Sequence, residues 1–242
     1  MGSLANQLAI VSGASSGIGR AVALGLAREG ASLCLLGRDK ERLMGTARIA
    51  TNSSPKVIVY QVDFASEQDL SRLIKRLEEE LEYVDVLVHA AGDVVLGDMN
   101  FSTIDDFDRQ YKINLRSPYL LTQKFLPQLK ARRGQIVFIN SSVGVRARAN
   151  VGQYAATKHA LKAVADSLRD EVNPDGVRVL SIFPGRTASA MQETIHRLEN
   201  KAYDAQLLLQ PEDIASVVIH ALALPRTAEV TDIHIRPMIK SG

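Results

Sequence analysis

The clearest indication of the fold lies near the start of the chain, in Leu8-Ala-Ile-Val-Ser-Gly-Ala-Ser-Ser-Gly-Ile-Gly-Arg20. It opens with Leu8–Ser12, a short apolar run of the kind that forms buried strands. Glycines follow in the spacing Gly-x-x-x-Gly-x-Gly, at Gly13, Gly17 and Gly19. Glycine suits a turn that needs positive φ angles and close backbone approach to a ligand. A helix beginning beyond this turn would present unpaired N–H groups to an anion, so the stretch predicts a strand, a phosphate-binding turn and a helix.

Short apolar runs and longer amphipathic stretches alternate along the rest of the chain. Six further runs predict strands: Ser32–Leu36, Lys56–Val62, Val86–Ala90, Gln135–Asn140, Val177–Phe183 and Asp232–Ile235. The clearest helix candidate between them is Ser66–Glu82, whose apolar residues recur at helical spacing. Nearly continuous apolar strands that alternate with helices indicate a parallel sheet covered on both faces. The predicted fold class is α/β, a doubly wound, Rossmann-type, seven-stranded parallel sheet with helices on both faces, in a single domain spanning residues 1–242.

The composition and charge of the chain disfavour several classes of protein. The chain has 242 residues, of which 46% are hydrophobic, and its 29 basic and 27 acidic residues leave a formal charge of +2. Without a run of like charge, this balance disfavours a nucleic-acid or membrane-surface role. The single cysteine, Cys34, can form neither an internal disulfide nor a zinc cluster, and we expect no metal. Met1–Gln7 lacks the pattern of a signal peptide and no apolar run is long enough to span a bilayer, so we expect a cytoplasmic protein.

A candidate proton-transfer pair lies in Tyr154-Ala-Ala-Thr-Lys158, at the predicted start of a helix. Their spacing places both side chains on one helix face. A phenol titrates at about pH 10, and a neighbouring ammonium favours the phenolate, so we expect Lys158 to lower the pKa of Tyr154. Such pairs are also common on solvated helix faces. Ser141 stands thirteen residues before Tyr154, at the end of the strand Gln135–Asn140, and adds a hydroxyl at the carboxyl end of the sheet.

These motifs, in this order and spacing, resemble the short-chain dehydrogenase/reductase family over residues 8–191. The resemblance implies that Tyr154 is the general acid in reduction and the general base in oxidation. It implies that Lys158 and the positive nicotinamide of the oxidised cofactor together lower the pKa of the tyrosine. It also implies that Lys158 anchors the nicotinamide ribose and that Ser141 holds the substrate oxygen. Asn114 matches the family's asparagine, which supports a proton relay to the lysine through water. The predicted catalytic residues are therefore Ser141, Tyr154, Lys158 and Asn114.

The resemblance also implies a set of contacts with a dinucleotide. They lie in the glycine turn, at the ends of the strands and in the catalytic helix: Gly13, Ser15, Ser16, Gly17, Ile18, Gly19, Arg38, Asp63, Ala91, Gly92, Tyr154, Lys158, Pro184, Gly185 and Ser189. Thr187 is the alternative to Ser189, and Asp63 could instead cap the next helix. His89 and Ala90 depart from the family's usual Asn-Asn pair, and we interpret His89 as structural.

The sequence Leu36-Gly37-Arg38-Asp39 bears on the choice between NADP(H) and NAD(H). NAD-preferring relatives carry an acid at the position of Gly37, whereas an arginine here accommodates the 2′-phosphate of NADP. An ordinary surface arginine is the alternative interpretation of Arg38. Asp39 is better placed to cap the following helix. We expect NADP(H), with NAD(H) the less favoured cofactor.

Residues 188–209 are predicted to form a lid over the substrate, as in relatives. Arg146 and Arg148 lie between Ser141 and Tyr154, where relatives place loop residues that contact substrate. They would favour an anionic substrate if they face the site, and they would be ordinary solvated side chains if they do not. The resemblance further implies a homo-oligomer, a tetramer or a dimer.

The predicted function is an oxidoreductase that transfers a hydride between NADP(H) and a small-molecule carbonyl or secondary alcohol. One alternative is a 3-oxoacyl-thioester reductase acting on acyl-carrier-protein or CoA substrates, although Thr231–Met238 lacks the glycine-rich ending of typical members. An alternative of another class is a non-catalytic regulator that senses NADP(H). The retention of Ser141, Tyr154 and Lys158 disfavours it, because sensing requires no proton transfer.

Overall fold

The structure, a computed structural model, describes residues 2–239. A sheet of seven strands runs through it in the order β3-β2-β1-β4-β5-β6-β7, with every neighbouring pair parallel. The strands are β1 Leu8–Ser12, β2 Ser32–Gly37, β3 Val57–Gln61, β4 Val86–His89, β5 Gln135–Ile139, β6 Arg178–Pro184 and β7 Asp232–Ile235. The predicted α/β fold with seven parallel strands is confirmed, and no strand end lies more than one residue from its predicted position.

Helices connect the strands and cover both faces of the sheet. They are α1 Gly17–Arg28, α2 Lys40–Ala50, α3 Glu67–Glu80, α4 Ile104–Tyr111, α5 Ser117–Ala131, α6 Gly152–Val172, α7 Ala190–Leu198 and α8 Pro211–Ala223. Side chains of α1, α2 and α8 pack on one face, and side chains of α3, α5 and α6 pack on the other. Within β1, Ala9 and Val11 join the first cluster whereas Leu8 and Ile10 join the second. This alternation explains the unbroken apolar runs of the five inner strands, which are buried on both sides, whereas the edge strands β3 and β7 are only partly buried.

Two helix caps settle alternatives left by the sequence. Asp39 accepts a hydrogen bond from the backbone N–H of Arg42 at 3.0 Å, so it caps α2 as predicted. Ser66 caps α3 by accepting from the N–H of Asp69 at 3.2 Å. The carboxylate of Asp63 accepts instead from the N–H of Ala65 at 2.9 Å, so the α3 cap is not its role.

The strand order places a crevice at the carboxyl ends of the central strands. Successive strands run outward from β1 to β3 in one direction and from β4 to β7 in the other, so the connections after β1 and β4 diverge. Ligands of open α/β sheets bind in the crevice at such a switch point. Within residues 2–239, no helix has both the length and the apolar character needed to cross a membrane.

Candidate active site

A cleft of about 410 Å³ lies at the carboxyl ends of the strands. It is lined by the turn between β1 and α1, the residues that follow β2 to β6, and the first turns of α6 and α7. All fifteen residues predicted to bind the cofactor line this cleft. The fifteen positions predicted from sequence therefore share one surface, although their contacts with a cofactor remain predictions.

The glycine turn has no room for side chains toward its own backbone. Gly13 has φ +68°, and a Cβ there would lie 2.7 Å from the carbonyl of Ala90. A Cβ on Gly19 would lie 2.3 Å from the carbonyl oxygen of Gly13. At the start of α1, the side chain of Ser16 makes no capping hydrogen bond and the first turn carries no acidic residue. An uncapped helix N-terminus therefore opens onto the cleft, and this arrangement fits a pyrophosphate.

At the end of β2, Gly37 stands where a side chain would crowd its neighbours. A Cβ at Gly37 would lie 2.9 Å from Oγ of Ser15. Arg38 lines the cleft, and within residues 2–239 its guanidinium has no hydrogen-bond or ion-pair partner. Asp39 is already engaged in the cap of α2 and in an ion pair with Arg42 at 3.3 Å. The end of β2 thus presents an available cation, which suits a 2′-phosphate.

The backbone after β4 is held against β1 by a serine that the sequence analysis missed. Ser12 accepts hydrogen bonds through Oγ from the N–H groups of Ala90 and Ala91, at 3.0 and 3.1 Å. His89 is buried, with Nε2 2.8 Å from Oγ1 of Thr122, and burial lowers its pKa to about 3. His89 is therefore neutral and structural, as predicted.

Ser141, Tyr154 and Lys158 meet in the same cleft. Ser141 is the second residue after β5, and Tyr154 lies in the first turn of α6 with Lys158 one turn further on. A side-chain hydrogen bond joins Ser141 to Tyr154. Nζ of Lys158 donates to the carbonyl of Ile139 at 2.9 Å and lies 5.8 Å from the centroid of the Tyr154 ring. The carboxyl end of β5 therefore fixes the serine and the lysine around the phenol.

The expected depression of the tyrosine pKa is wrong for the protein alone. Burial raises the pKa of Tyr154 to about 12, and the hydrogen bond with Ser141 acts in the opposite direction. Burial also lowers the pKa of Lys158 to about 8. Both groups are desolvated, and desolvation disfavours each charged form. The sequence places the ammonium on the correct helix face, but it does not show how deeply both side chains are buried.

Asn114 belongs to a π-helical turn between α4 and α5, Lys112–Arg116, and it is fully buried. Its Nδ2 donates to the carbonyl of Asp93 at 2.8 Å and to Oγ1 of Thr157 at 3.1 Å, while its Oδ1 accepts from the N–H of Asp93 at 2.8 Å. The side chain thus ties the segment after β4 to the residue before Lys158. It is not among the residues that line the cleft, and its part in a proton relay remains a prediction.

Asn140 is a second functional residue that the sequence analysis missed. Its Oδ1 accepts from the N–H of Ser141 at 2.8 Å, and its Nδ2 donates to the carbonyl of Lys158 at 3.1 Å. A single buried amide therefore fixes the distance between the strand end and the catalytic helix. Its signal was available, because it is the last residue of a predicted strand and directly precedes the predicted serine.

The predicted lid, residues 188–209, contains α7, and a backbone hydrogen bond joins its two ends. The N–H of Ala188 donates to the carbonyl of Leu209 at 2.7 Å. Ser189 caps α7 by accepting from the N–H of Gln192 at 3.1 Å, whereas Oγ1 of Thr187 donates to the carbonyl of Gly185 at 3.1 Å. Both hydroxyls line the cleft, so the choice between them as a cofactor contact stays open.

A comparison with protein families shows to which family the chain belongs. The family model for short chain dehydrogenase matches residues 7–200. The chain belongs to the short-chain dehydrogenase family. As a short-chain dehydrogenase it is an oxidoreductase, and the resemblance inferred from its motifs is confirmed.

Three known proteins resemble it along nearly their whole length. An uncharacterized oxidoreductase of Staphylococcus aureus (strain USA300) is 30% identical over 236 residues, which cover 97% of this chain and 99% of the relative. The solved structure of an alcohol dehydrogenase from Thermococcus sibiricus, complexed with 5-hydroxy-NADP, is similar with a TM-score of 0.87, 26% identity and 98% of each chain covered. A 3-oxoacyl (acyl-carrier-protein) reductase from Agrobacterium tumefaciens with NADP bound has a TM-score of 0.85 at 25% identity, covering 96% of this chain and 93% of the other.

Proposed function

We propose that this short-chain dehydrogenase transfers a hydride between NADP(H) and a small-molecule carbonyl or secondary alcohol. The observation that carries the proposal is the junction, in one cleft, of the glycine turn with Ser141, Tyr154 and Lys158. The uncapped start of α1 fits a pyrophosphate and the available Arg38 fits a 2′-phosphate. When bound, the nicotinamide cofactor would supply the hydride in reduction and accept it in oxidation.

The proton chemistry follows from the pKa values of the side chains. With a pKa of about 12, Tyr154 is protonated at neutral pH and can donate its proton to the substrate oxygen during reduction. Ser141 donates a hydrogen bond to the same oxygen and stabilises its developing negative charge. Below a pH of about 8 Lys158 carries a positive charge, which stabilises the phenolate left on Tyr154. In oxidation the same groups act in reverse, with the phenolate accepting the proton of the alcohol.

An absorbance assay tests this function. NADPH and NADH are supplied separately with ketones, oxo acids and 3-oxoacyl thioesters, and loss of absorbance reports reduction. We expect NADPH oxidation with at least one class of ketone. The 3-oxoacyl-thioester reductase remains the second candidate, because one similar solved structure is such a reductase. Tight NADPH binding without oxidation by any of these compounds would favour the sensing regulator instead.

Arg38→Gln tests the proposed preference for NADP(H). Loss of a hydrogen-bonded ion pair with the 2′-phosphate should raise the KM for NADPH by about 10- to 100-fold. The KM for NADH should stay within about twofold, because NADH has no phosphate at that position. Arg48→Gln, at an exposed position near the end of α2, is the matched control. An equal change in both KM values, or none, would contradict a role for Arg38 in cofactor choice.

Two further properties are proposed on the resemblance to the family. Members of the family usually form tetramers, so we propose a homo-oligomer, a tetramer in preference to a dimer. We also propose a cytoplasmic location. Neither proposal enters the argument for the chemistry, which depends only on residues of one chain.

A further inference from the structure

Away from the glycine turn and the end of β2, the cleft combines an apolar wall with three arginines. Arg109 and Arg186 are hydrogen-bonded to carboxylates, whereas Arg148 has no carboxylate of residues 2–239 within hydrogen-bond distance. The wall consists of aliphatic and thioether side chains from the segment after β4, the loop before α6, and α7: Val94, Leu96, Val143, Val151, Met191 and Ile195. Arg148 lines the same cleft from the loop that joins Ser141 to Tyr154. A substrate whose carbonyl lies at Tyr154 would therefore extend past an apolar surface toward a guanidinium.

The structure separates the two arginines that the sequence left equivalent. Arg148 lines the cleft, whereas Arg146, two residues earlier in the same loop, is exposed and is not among the lining residues. The two interpretations of these arginines therefore apply to different residues. Contact with an anionic substrate fits Arg148, and exposure on a solvated loop fits Arg146. Of these two arginines, only Arg148 is placed to meet a ligand in the cleft.

Arg148 retains hydrogen-bonding capacity in the structure. Its Nη2 lies 3.9 Å from Oε1 of Glu199, beyond hydrogen-bond distance, and 53% of its side chain is exposed. Glu199 is held instead by Arg186, whose Nη2 donates to it at 2.5 Å. Lys201 also lies 3.9 Å from this carboxylate. Arg148 thus lies beside a carboxylate that is already hydrogen-bonded to Arg186, so its guanidinium can still bind a second anion.

We infer that Arg148 determines substrate specificity by binding a carboxylate, so that the preferred substrates are apolar oxo acids and, in oxidation, the corresponding hydroxy acids. This inference rests on the proposed function. A guanidinium presents two parallel N–H donors, which match the two oxygens of a carboxylate. The neighbouring Glu199 competes with such a ligand for Arg148 and repels it, so the balance between the two side chains sets the preference.

The test compares matched acids and esters. The substrates are 2-, 3-, 4- and 5-oxohexanoate and their methyl esters, each assayed with saturating NADPH. We expect the wild type to prefer at least one acid over its ester. Arg148→Gln should lower the acid-to-ester ratio of kcat/KM by about 10- to 100-fold, mainly through the KM of the acid, since a hydrogen bond to a charged group is lost. Arg146→Gln, the matched control, should leave the ratio unchanged.

Two further measurements test the inference independently of the kinetics of Arg148→Gln. Calorimetry with hexanoate in the presence of NADP⁺ measures carboxylate binding without turnover, and Arg148→Gln should weaken that binding by a similar factor. Glu199→Gln should move the acid-to-ester ratio in the opposite direction, because it removes the competing carboxylate. Any loosening of the lid by this substitution would affect acid and ester alike, so the ratio cancels it.

The possible failures are distinguishable. If esters and neutral ketones are reduced but acids are not preferred, or if Arg148→Gln and Arg146→Gln behave alike, the inference is wrong and the proposed function stands. If Arg148→Gln raises the KM for NADPH instead, Arg148 serves the cofactor and the inference is again wrong. If neither these acids and esters nor any compound of the absorbance assay above is reduced, the proposed function itself fails.

Discussion

Tyr154→Phe is expected to lower kcat for carbonyl reduction by roughly 10²–10⁴-fold, the usual value of general acid catalysis. The substitution removes only the phenolic hydroxyl. The ring remains packed beside Val143, Val151 and Ala155, so the shape of the cleft should be retained. Because the proposed hydrogen bond from Ser141 to the substrate oxygen would be kept, some activity should persist.

Steady-state kinetics and NADPH fluorescence titration together check this prediction. The dissociation constant of NADPH should change by less than about twofold, because ring and backbone contacts are kept. Tyr119→Phe, at an exposed position of α5, controls for the loss of a tyrosine hydroxyl elsewhere. A turnover near the wild-type value with normal NADPH binding would assign the proton donor to another group and refute the mechanism.

The fold was predictable because its five inner strands are buried on both sides. Each of them therefore shows as an apolar run, and the helices between the strands show as amphipathic periods, as in α3. The glycine turn was equally legible, since Gly13 and Gly19 are positions where any Cβ would collide with backbone. Local sequence carries both signals, so neither needs knowledge of distant contacts.

The details of the candidate site depend on contacts that local sequence does not record. Ser12 and Asn140 hold segments far apart in the chain, and nothing about one serine or one asparagine shows its distant partner. The pKa of Tyr154 had the wrong predicted direction because spacing on a helix reveals proximity but not burial. Arg146 and Arg148 look alike in sequence, and only the path of their loop separates them.

Lys158→Met removes the positive charge near the Tyr154 ring. Unlike most substitutions of an active-site residue, it is expected to raise the free energy of unfolding at neutral pH in the absence of cofactor. Lys158 is 3% exposed, and burial lowers its pKa from 10.5 to about 8. At pH 7 folding must therefore bury an ammonium whose only hydrogen bond with residues 2–239 is to the carbonyl of Ile139. Methionine has a similar length and no charge, so it avoids this cost.

The dependence on pH identifies the cause. Between pH 8 and 10.5 the folded wild type has released the Lys158 proton while the unfolded chain retains it, so the stability of the wild type relative to the variant rises with pH across that interval. The difference in the free energy of unfolding should change by about 2–3 kcal/mol between pH 7 and 11 and be level on either side of the interval. Urea unfolding at a series of pH values measures it, with Lys75→Met, an exposed lysine of α3, as the control. A difference independent of pH would mean that the ammonium is solvated in the folded protein, and Lys158 could then not stabilise a buried phenolate in the way that the proposed proton transfer requires.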